Sequence, residues 1–115
     1  MELLVHVDFK GLPLAPAYLC ARFAELRAAG ATGVLLEWED MLPWSGALRT
    51  LARPGGGAYS AAEVEQVLAC AAALGLEVVP LVQTLGHLEF ALKDGRGFAH
   101  LREDSGDFGT ICPVC

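Results

Sequence analysis

The sequence predicts an α/β fold with parallel strands, and three observations support this prediction. Short apolar runs alternate with helical patterns in the order β-α-β-α-β along the 115 residues. The two helix-to-strand passages, residues 28–34 and 73–78, resemble each other as successive units of one architecture do. The composition is 54% hydrophobic and 19% charged, which is typical of strands buried on both faces. Strands that alternate with helices in this way run parallel and are joined by right-handed crossovers.

The first unit contains a strand followed by a helix. An apolar run over residues 3–9 predicts a short buried strand that leads through Asp8 into a loop. Apolar side chains at helical spacing predict a helix over about 16–29. Pro16 suits the first turn of this helix and Gly30 suits the position after its last turn, so both ends are marked.

The second unit repeats the design with a longer connection. Residues 33–40 begin as an apolar strand and end in acidic residues. The connection over 41–59 contains two prolines and three consecutive glycines, which makes it too broken for regular structure and longer than usual. Ser60 and Glu63 form the pattern of a capping box, and Gly75 closes the helix that they begin.

A third strand follows at 77–82 and leads into the segment 83–87. Pro80 lacks a backbone N–H group, so we expect it at a position where the sheet needs no hydrogen bond. A (β/α)8 barrel uses about thirty residues per unit and about 250 in total. We therefore expect residues 1–115 to supply the first three βα units, and the start of a fourth, of an incomplete barrel.

Charge and hydropathy exclude several classes of partner. Eight Lys and Arg residues against fourteen Asp and Glu residues give a formal charge of -6, and no basic run is present. We therefore expect no nucleic-acid binding. No apolar stretch approaches the roughly 18 to 20 residues of a membrane span, so we expect no membrane insertion. The start of the chain has no basic region before its first acid, so we expect no secretion signal and an intracellular location.

The four cysteines give weak signals. Cys20 and Cys70 lie in helical patterns, and without a secretion signal they are expected to be reduced core thiols. Cys112 and Cys115 have the spacing of a redox motif or of half a zinc site, but no second pair accompanies them. We expect no chemistry there.

Polar residues follow the carboxyl end of each predicted strand, where parallel α/β folds build their active sites. For single residues, structural alternatives stay open. Asp8 fits a turn cap as well as a ligand contact, Trp38 and Trp44 fit core packing as well as sugar stacking, and His6 fits a packing role better than a ligand. His87 has the best claim to proton transfer. The candidate residues are Asp8, Glu37, Glu39, Asp40, Gln83 and His87.

Four segments together resemble a known family. Residues 5–11, 36–44, 80–90 and 98–103 read VHVDFKG, LEWEDMLPW, PLVQTLGHLEF and FAHLRE. These segments, in this order, resemble the non-lysosomal branch of the family 20 glycoside hydrolases. The resemblance covers nearly the whole chain.

The resemblance implies a (β/α)8 barrel that removes terminal β-linked N-acetylgalactosamine or N-acetylglucosamine with retention of configuration. In this family the 2-acetamido oxygen of the substrate attacks the anomeric carbon, so the enzyme supplies no nucleophile. An Asp-Glu pair after strand four assists this step in the family. Its Asp orients the acetamido group, and its Glu acts first as the general acid and then as the general base. No such pair follows a fitting strand in this chain, so we expect the isolated 115 residues to be inactive.

The resemblance also implies roles for residues that are present. His87 would hold the acid/base Glu, supported by Asp40 or alternatively by Glu39. Residues that would contact the sugar are Asp8, Trp38, Glu39, Trp44 and Gln83. The implied substrate is a glycoconjugate that ends in an N-acetylhexosamine, and the implied reaction needs no cofactor or metal. The resemblance further implies a cytoplasmic and nuclear location and a full-length enzyme that could form a homodimer.

Two departures from the family pattern stand out. Leu3 occupies the position of an Arg that grips sugar hydroxyls in many members, and residues 80–87 keep the Pro, Gly and His of the usual strand-three pattern without its acids. An alternative hypothesis is a truncated, non-catalytic isoform that binds a sugar or a protein through residues 41–59. A further alternative is a metal-dependent hydrolase that uses His6, Asp8 and His87.

Overall fold

The computed structural model describes residues 2–93 and 95–113. The elements follow the predicted order, and their bounds lie within a few residues of the predicted ones. They are β1 (Leu4–Asp8), α1 (Pro16–Ala28), β2 (Gly33–Glu37), α2 (Ala61–Ala73), β3 (Glu77–Leu81) and a short α3 (Glu89–Leu92). This arrangement confirms the predicted α/β class, whereas the division of the chain into barrel units stays a prediction.

The three strands form one parallel sheet in the order β1-β2-β3. Leu4 and Glu77 both pair with Gly33 at the start of the sheet, and Asp8 and Leu81 both pair with Glu37 at its end. A Cβ atom on Gly33 would lie 2.6 Å from Leu4 Cδ2 and 2.7 Å from the Glu77 carbonyl oxygen. Glycine therefore lets the strands meet in register, and their carboxyl ends share one edge.

The main core lies between β2 and the helices α1 and α2. Phe9, Trp38 and Tyr59 form an aromatic cluster in it, with ring centroids 4.9 Å (Phe9–Trp38), 5.6 Å (Phe9–Tyr59) and 5.8 Å (Trp38–Tyr59) apart. The Tyr59 hydroxyl donates a 2.7 Å hydrogen bond to the Leu14 carbonyl oxygen. This cluster anchors both ends of the long connection that follows β2.

The long connection contains two short 3-10 helices, Gly46–Leu51 and Pro54–Gly56, where the sequence predicts no regular structure. The first ends in a second apolar cluster, which joins the connection to α3. The buried members of this cluster are Leu51, Leu88, Phe90 and Leu92. Contacts far apart in the sequence, which no local pattern reveals, thus order this connection.

The structure corrects the expectation of reduced thiols in the helices. A disulfide joins Cys20 of α1 to Cys70 of α2, with Cα atoms 5.8 Å apart and both residues half-buried. Helical spacing places each cysteine on a face but does not show that the two faces meet. Cys115 lies outside the described residues, so the expectation for the Cys112 and Cys115 motif stays a prediction.

Candidate active-site cleft

A cleft of about 370 Å³ opens at the carboxyl ends of β1 and β2. Its wall mixes side chains of both charges from four segments of the chain. The acids are Glu39, Asp40 and Glu89, and the bases are Lys10, Arg53, Lys93 and Arg96. Four of the eight basic residues of this acidic chain therefore surround one cleft.

Glu39 lies in the first turn after β2 and is 4% exposed. Its backbone adopts a left-handed conformation with φ 43°, and its carbonyl oxygen accepts a 2.7 Å hydrogen bond from the Trp44 indole. The Lys10 ammonium lies 2.9 Å from Glu39 Oε1, whereas Glu39 Oε2 has no hydrogen-bond partner among the described residues. Burial raises the pKa of Glu39, and the Lys10 hydrogen bond offsets part of that rise. The same hydrogen bond raises the pKa of Lys10.

Asp40 is also buried, with 8% of its surface exposed. Its Oδ2 atom lies 3.7 Å from Arg53 Nη1 and 3.7 Å from Arg96 Nη2. Its carbonyl oxygen accepts a 2.7 Å hydrogen bond from the Arg53 amide, whereas Oδ1 has no partner among the described residues. The carboxylate is thus held between two guanidinium groups with one oxygen left over.

Glu37, the last residue of β2, connects this strand to β1 and to the segment after β3. It is 6% exposed, and its oxygens accept hydrogen bonds from His6 Nε2 at 2.8 Å and Gln83 Nε2 at 2.7 Å, if the imidazole carries its proton on Nε2. Burial by itself raises the pKa of Glu37, but the hydrogen bonds from Gln83 and His6 outweigh burial and lower it overall. Glu37 is therefore ionised at neutral pH, and its carboxylate links β2 to β1 and to the segment after β3 by hydrogen bonds.

His87 follows β3 in an exposed position, and its backbone is left-handed with φ 57°. Within residues 2–93 and 95–113, no hydrogen bond or ion pair links it to Asp40. The structure therefore places both residues at strand ends without bringing their side chains into contact.

The remaining predicted sugar-contact residues divide into exposed and buried ones. Asp8 is exposed, and its Oδ1 atom accepts a 2.8 Å hydrogen bond from the Lys10 amide, which is the turn-capping alternative. Trp38 is 5% exposed and packs in the aromatic cluster, which is the packing alternative. Trp44 is half-buried and stacks on Phe90 with ring centroids 6.4 Å apart. Gln83 donates to Glu37 as described.

No three His, Cys, Asp or Glu side chains among the described residues are placed to hold a metal ion. None of the helices in the described part of the chain combines the length and the apolar character that a membrane span requires.

Sequence reasoning missed the basic half of the cleft. Lys10, Arg53 and the neighbouring pair Lys93 and Arg96 lie at least 40 residues apart in the sequence, and no local pattern links them. One signal was readable: Arg96 stands between Gly95 and Gly97, and glycines on both sides of a charged residue indicate an unusual backbone.

Comparison with known proteins identifies what this chain is similar to. No protein-family model matches it. Human hexosaminidase D (Homo sapiens) is 51% identical over 100 residues, which cover 87% of this chain and 20% of that protein. Bovine hexosaminidase D (Bos taurus) is 50% identical over 110 residues, which cover 96% of this chain and 31% of that protein.

The chain resembles part of hexosaminidase D. Since the bovine match covers 96% of the chain, it spans the segments that build the cleft. The chain spans between a fifth and a third of the length of these hexosaminidase D relatives. The resemblance expected from the sequence is thereby confirmed.

Two solved structures share the fold of this hexosaminidase D-like chain. The GH20 β-N-acetylhexosaminidase from Streptomyces coelicolor superposes with a TM-score of 0.71 at 22% identity, over 95% of this chain and 26% of that one. The Streptomyces plicatus N-acetyl-β-hexosaminidase, in complex with Thio-NAglucal, superposes with a TM-score of 0.70 at 20% identity, over 96% and 26%. At these identities the likeness establishes the fold.

Proposed function

We propose that this chain is the first part of a retaining β-N-acetylhexosaminidase that hydrolyses terminal β-linked N-acetylgalactosamine or N-acetylglucosamine. The similarity to hexosaminidase D supports the reaction class, and the likeness to two hexosaminidase structures supports the architecture. The proposed barrel is completed by further βα units, whose fourth strand would supply the Asp-Glu pair.

One observation in the structure carries the location of the site. Among the described residues, the non-glycine residues with a left-handed backbone are Glu39 and His87. Such conformations cost about 1–3 kcal/mol each, and they persist mainly where function requires a particular side-chain placement. Both residues follow strand ends, and both belong to the set that the sequence predicts for the site.

The cleft suits a ligand rich in hydroxyl groups. Glu39 Oε2, Asp40 Oδ1 and Glu89 Oε2 are buried acceptors without a hydrogen-bond partner in the described part of the chain. Sugar hydroxyls are neutral donors, so they can satisfy these oxygens without adding charge. The Lys10 ammonium is half-exposed and can donate to a hydroxyl oxygen of the same sugar.

In the proposed mechanism the substrate's 2-acetamido oxygen attacks the anomeric carbon and the bond to the aglycone oxygen breaks. A Glu outside this chain protonates the leaving oxygen and then deprotonates the water that opens the oxazolinium intermediate. Asp40 contributes a carboxyl group held between Arg53 and Arg96, and His87 contributes an imidazole at the next strand end. These two residues would position the Glu, while Gln83 fixes Glu37 beneath the sugar.

The test uses the full-length protein that carries this segment. We expect it to release 4-methylumbelliferone from β-linked N-acetylhexosaminides but not from the β-glucoside, which lacks the 2-acetamido group. Asp40→Asn and His87→Asn should each lower kcat by about 10²-fold, whereas Glu65→Gln on an exposed face of α2 should retain full activity.

A second set of measurements separates catalysis from mere binding. If the 115-residue chain alone binds an N-acetylhexosamine while the full-length protein turns over no substrate, the non-catalytic sugar-binding alternative replaces this proposal.

We also propose a cytoplasmic and nuclear location and catalysis without a metal. Cell fractionation and activity in the presence of a chelator test these two points.

A further inference from the structure

We infer that Arg96 is a positioning residue that holds residues 46–53 of the long connection in a fixed position relative to Asp40. Its Nη1 atom donates to the carbonyl oxygens of Thr50 at 3.0 Å and Ala52 at 2.8 Å, with the Leu51 carbonyl oxygen at 3.5 Å. Its Nη2 atom lies 3.7 Å from Asp40 Oδ2. One guanidinium thus joins the segment after α3, the long connection and the end of β2. The catalytic meaning of this inference rests on the proposed function.

The backbone around Arg96 is built to present this side chain. Gly95 and Gly97 have φ angles of 85° and 91°, which residues with a Cβ atom rarely adopt. In the reverse direction, the Thr50 hydroxyl donates a 2.8 Å hydrogen bond to the Arg96 carbonyl oxygen. The side chain and backbone of Arg96 therefore both bind the connection.

The chemistry of the contacts favours arginine over lysine. The Arg96 side chain is only 17% exposed, so its guanidinium makes most of its hydrogen bonds to the protein and not to water. A planar guanidinium can donate from Nη1 to adjacent carbonyl oxygens while Nη2 faces a carboxylate. An ammonium group could keep the charge beside Asp40, but it could not also reach the carbonyl oxygens in this geometry.

Arg53 links the same connection to Asp40 by two further contacts. Its amide donates 2.7 Å to the Asp40 carbonyl oxygen, and its guanidinium faces the same Oδ2 atom as that of Arg96. When Arg96 holds residues 50–52, it also sets the position from which Arg53 approaches Asp40. Without Arg96, the carbonyl oxygens lose their donor and the wall of the cleft is released.

The first experiment measures the order of the connection and does not depend on any activity. Hydrogen exchange is followed by mass spectrometry in the full-length protein, with Arg49→Ala as the matched control because Arg49 is exposed in the same connection. We expect Arg96→Ala to accelerate exchange over residues 46–53 by about tenfold or more, and Arg49→Ala to leave it unchanged. Equal exchange in wild type and Arg96→Ala overturns the inference.

The second experiment measures coupling to Asp40. We expect Arg96→Ala to lower kcat/KM about tenfold, and Arg96→Lys to recover less than half of the loss. In an Asp40→Asn background, Arg96→Ala should cause a much smaller further loss, because the two residues act through one arrangement. Fully additive losses overturn the positioning role. An inactive wild type with the expected exchange pattern overturns the proposed function instead and leaves the structural link intact.

Discussion

Replacing Glu37 by alanine tests the claim that this carboxylate connects the sheet beneath the cleft. The variant removes acceptors for Gln83 and His6, whose hydrogen bonds measure 2.7 Å and 2.8 Å. A hydrogen bond from a half-buried amide to a carboxylate contributes about 1.5–3 kcal/mol. The half-exposed His6 side contributes up to about 1 kcal/mol. We therefore expect Glu37→Ala to lower the free energy of unfolding by about 1.5–4 kcal/mol.

The pH dependence sharpens this prediction. The pKa of Glu37 is lower in the folded chain than in the unfolded chain, so its ionisation stabilises the fold at neutral pH. This contribution is complete above the unfolded pKa and is lost as the pH falls through the folded pKa. The difference between wild type and Glu37→Gln should therefore shrink as the pH is lowered from 7 to 3.

Urea denaturation followed by circular dichroism at several pH values provides the assay. Glu65→Ala serves as the control, because Glu65 is exposed on α2 and such a substitution changes stability by less than about 0.5 kcal/mol. If Glu37→Ala and this control have the same free energy of unfolding at pH 7, Glu37 does not stabilise the sheet edge. If the loss of stability caused by Glu37→Gln stays constant down to pH 3, the pKa of Glu37 is not lowered in the folded chain.

Three further predictions concern stability, each measured by denaturant unfolding. Burial raises the pKa of Glu39, so the ionised carboxylate destabilises the folded chain at neutral pH. Glu39→Gln should therefore be more stable than wild type at pH 7, and this gain should vanish below about pH 4, where the Glu39 carboxyl is protonated in both states. Equal stability of Glu39→Gln and wild type at pH 7 would contradict this prediction. Gly33→Ala should cost about 1–3 kcal/mol, whereas Gly106→Ala, with room for a Cβ atom, should cost far less. Reducing the Cys20–Cys70 disulfide, which closes a separation of 50 residues, should cost about 2–4 kcal/mol, and an unchanged midpoint would argue against the bond.

The fold was largely predictable because its signals are local. Pro16 and the Ser60–Glu63 capping box mark where α1 and α2 begin, and the structure shows the capping box with both of its hydrogen bonds. Apolar runs that end in acids predict β1 to within one residue at each end and β2 to within three. Such patterns depend on neighbours in the chain and need no knowledge of tertiary contacts.

The candidate site was predictable only in part, because its other half depends on distant contacts. Strand topology indicated where Glu39, Asp40 and His87 would lie. It could not indicate that Arg96, 56 residues after Asp40, returns to the same carboxylate. Nor could it indicate that Cys20 faces Cys70 or that Trp38 is enclosed by the core, since both depend on how helices and strands pack.

The most direct test of the proposed function is the hydrolysis of 4-methylumbelliferyl N-acetyl-β-galactosaminide and N-acetyl-β-glucosaminide by the full-length protein. Wild type, Asp40→Asn and the isolated 115-residue chain are compared at equal concentration. The proposal predicts turnover by wild type, a loss of about 10²-fold in Asp40→Asn, and none by the isolated chain. Absence of turnover by the full-length wild type, or equal turnover by Asp40→Asn, would contradict it.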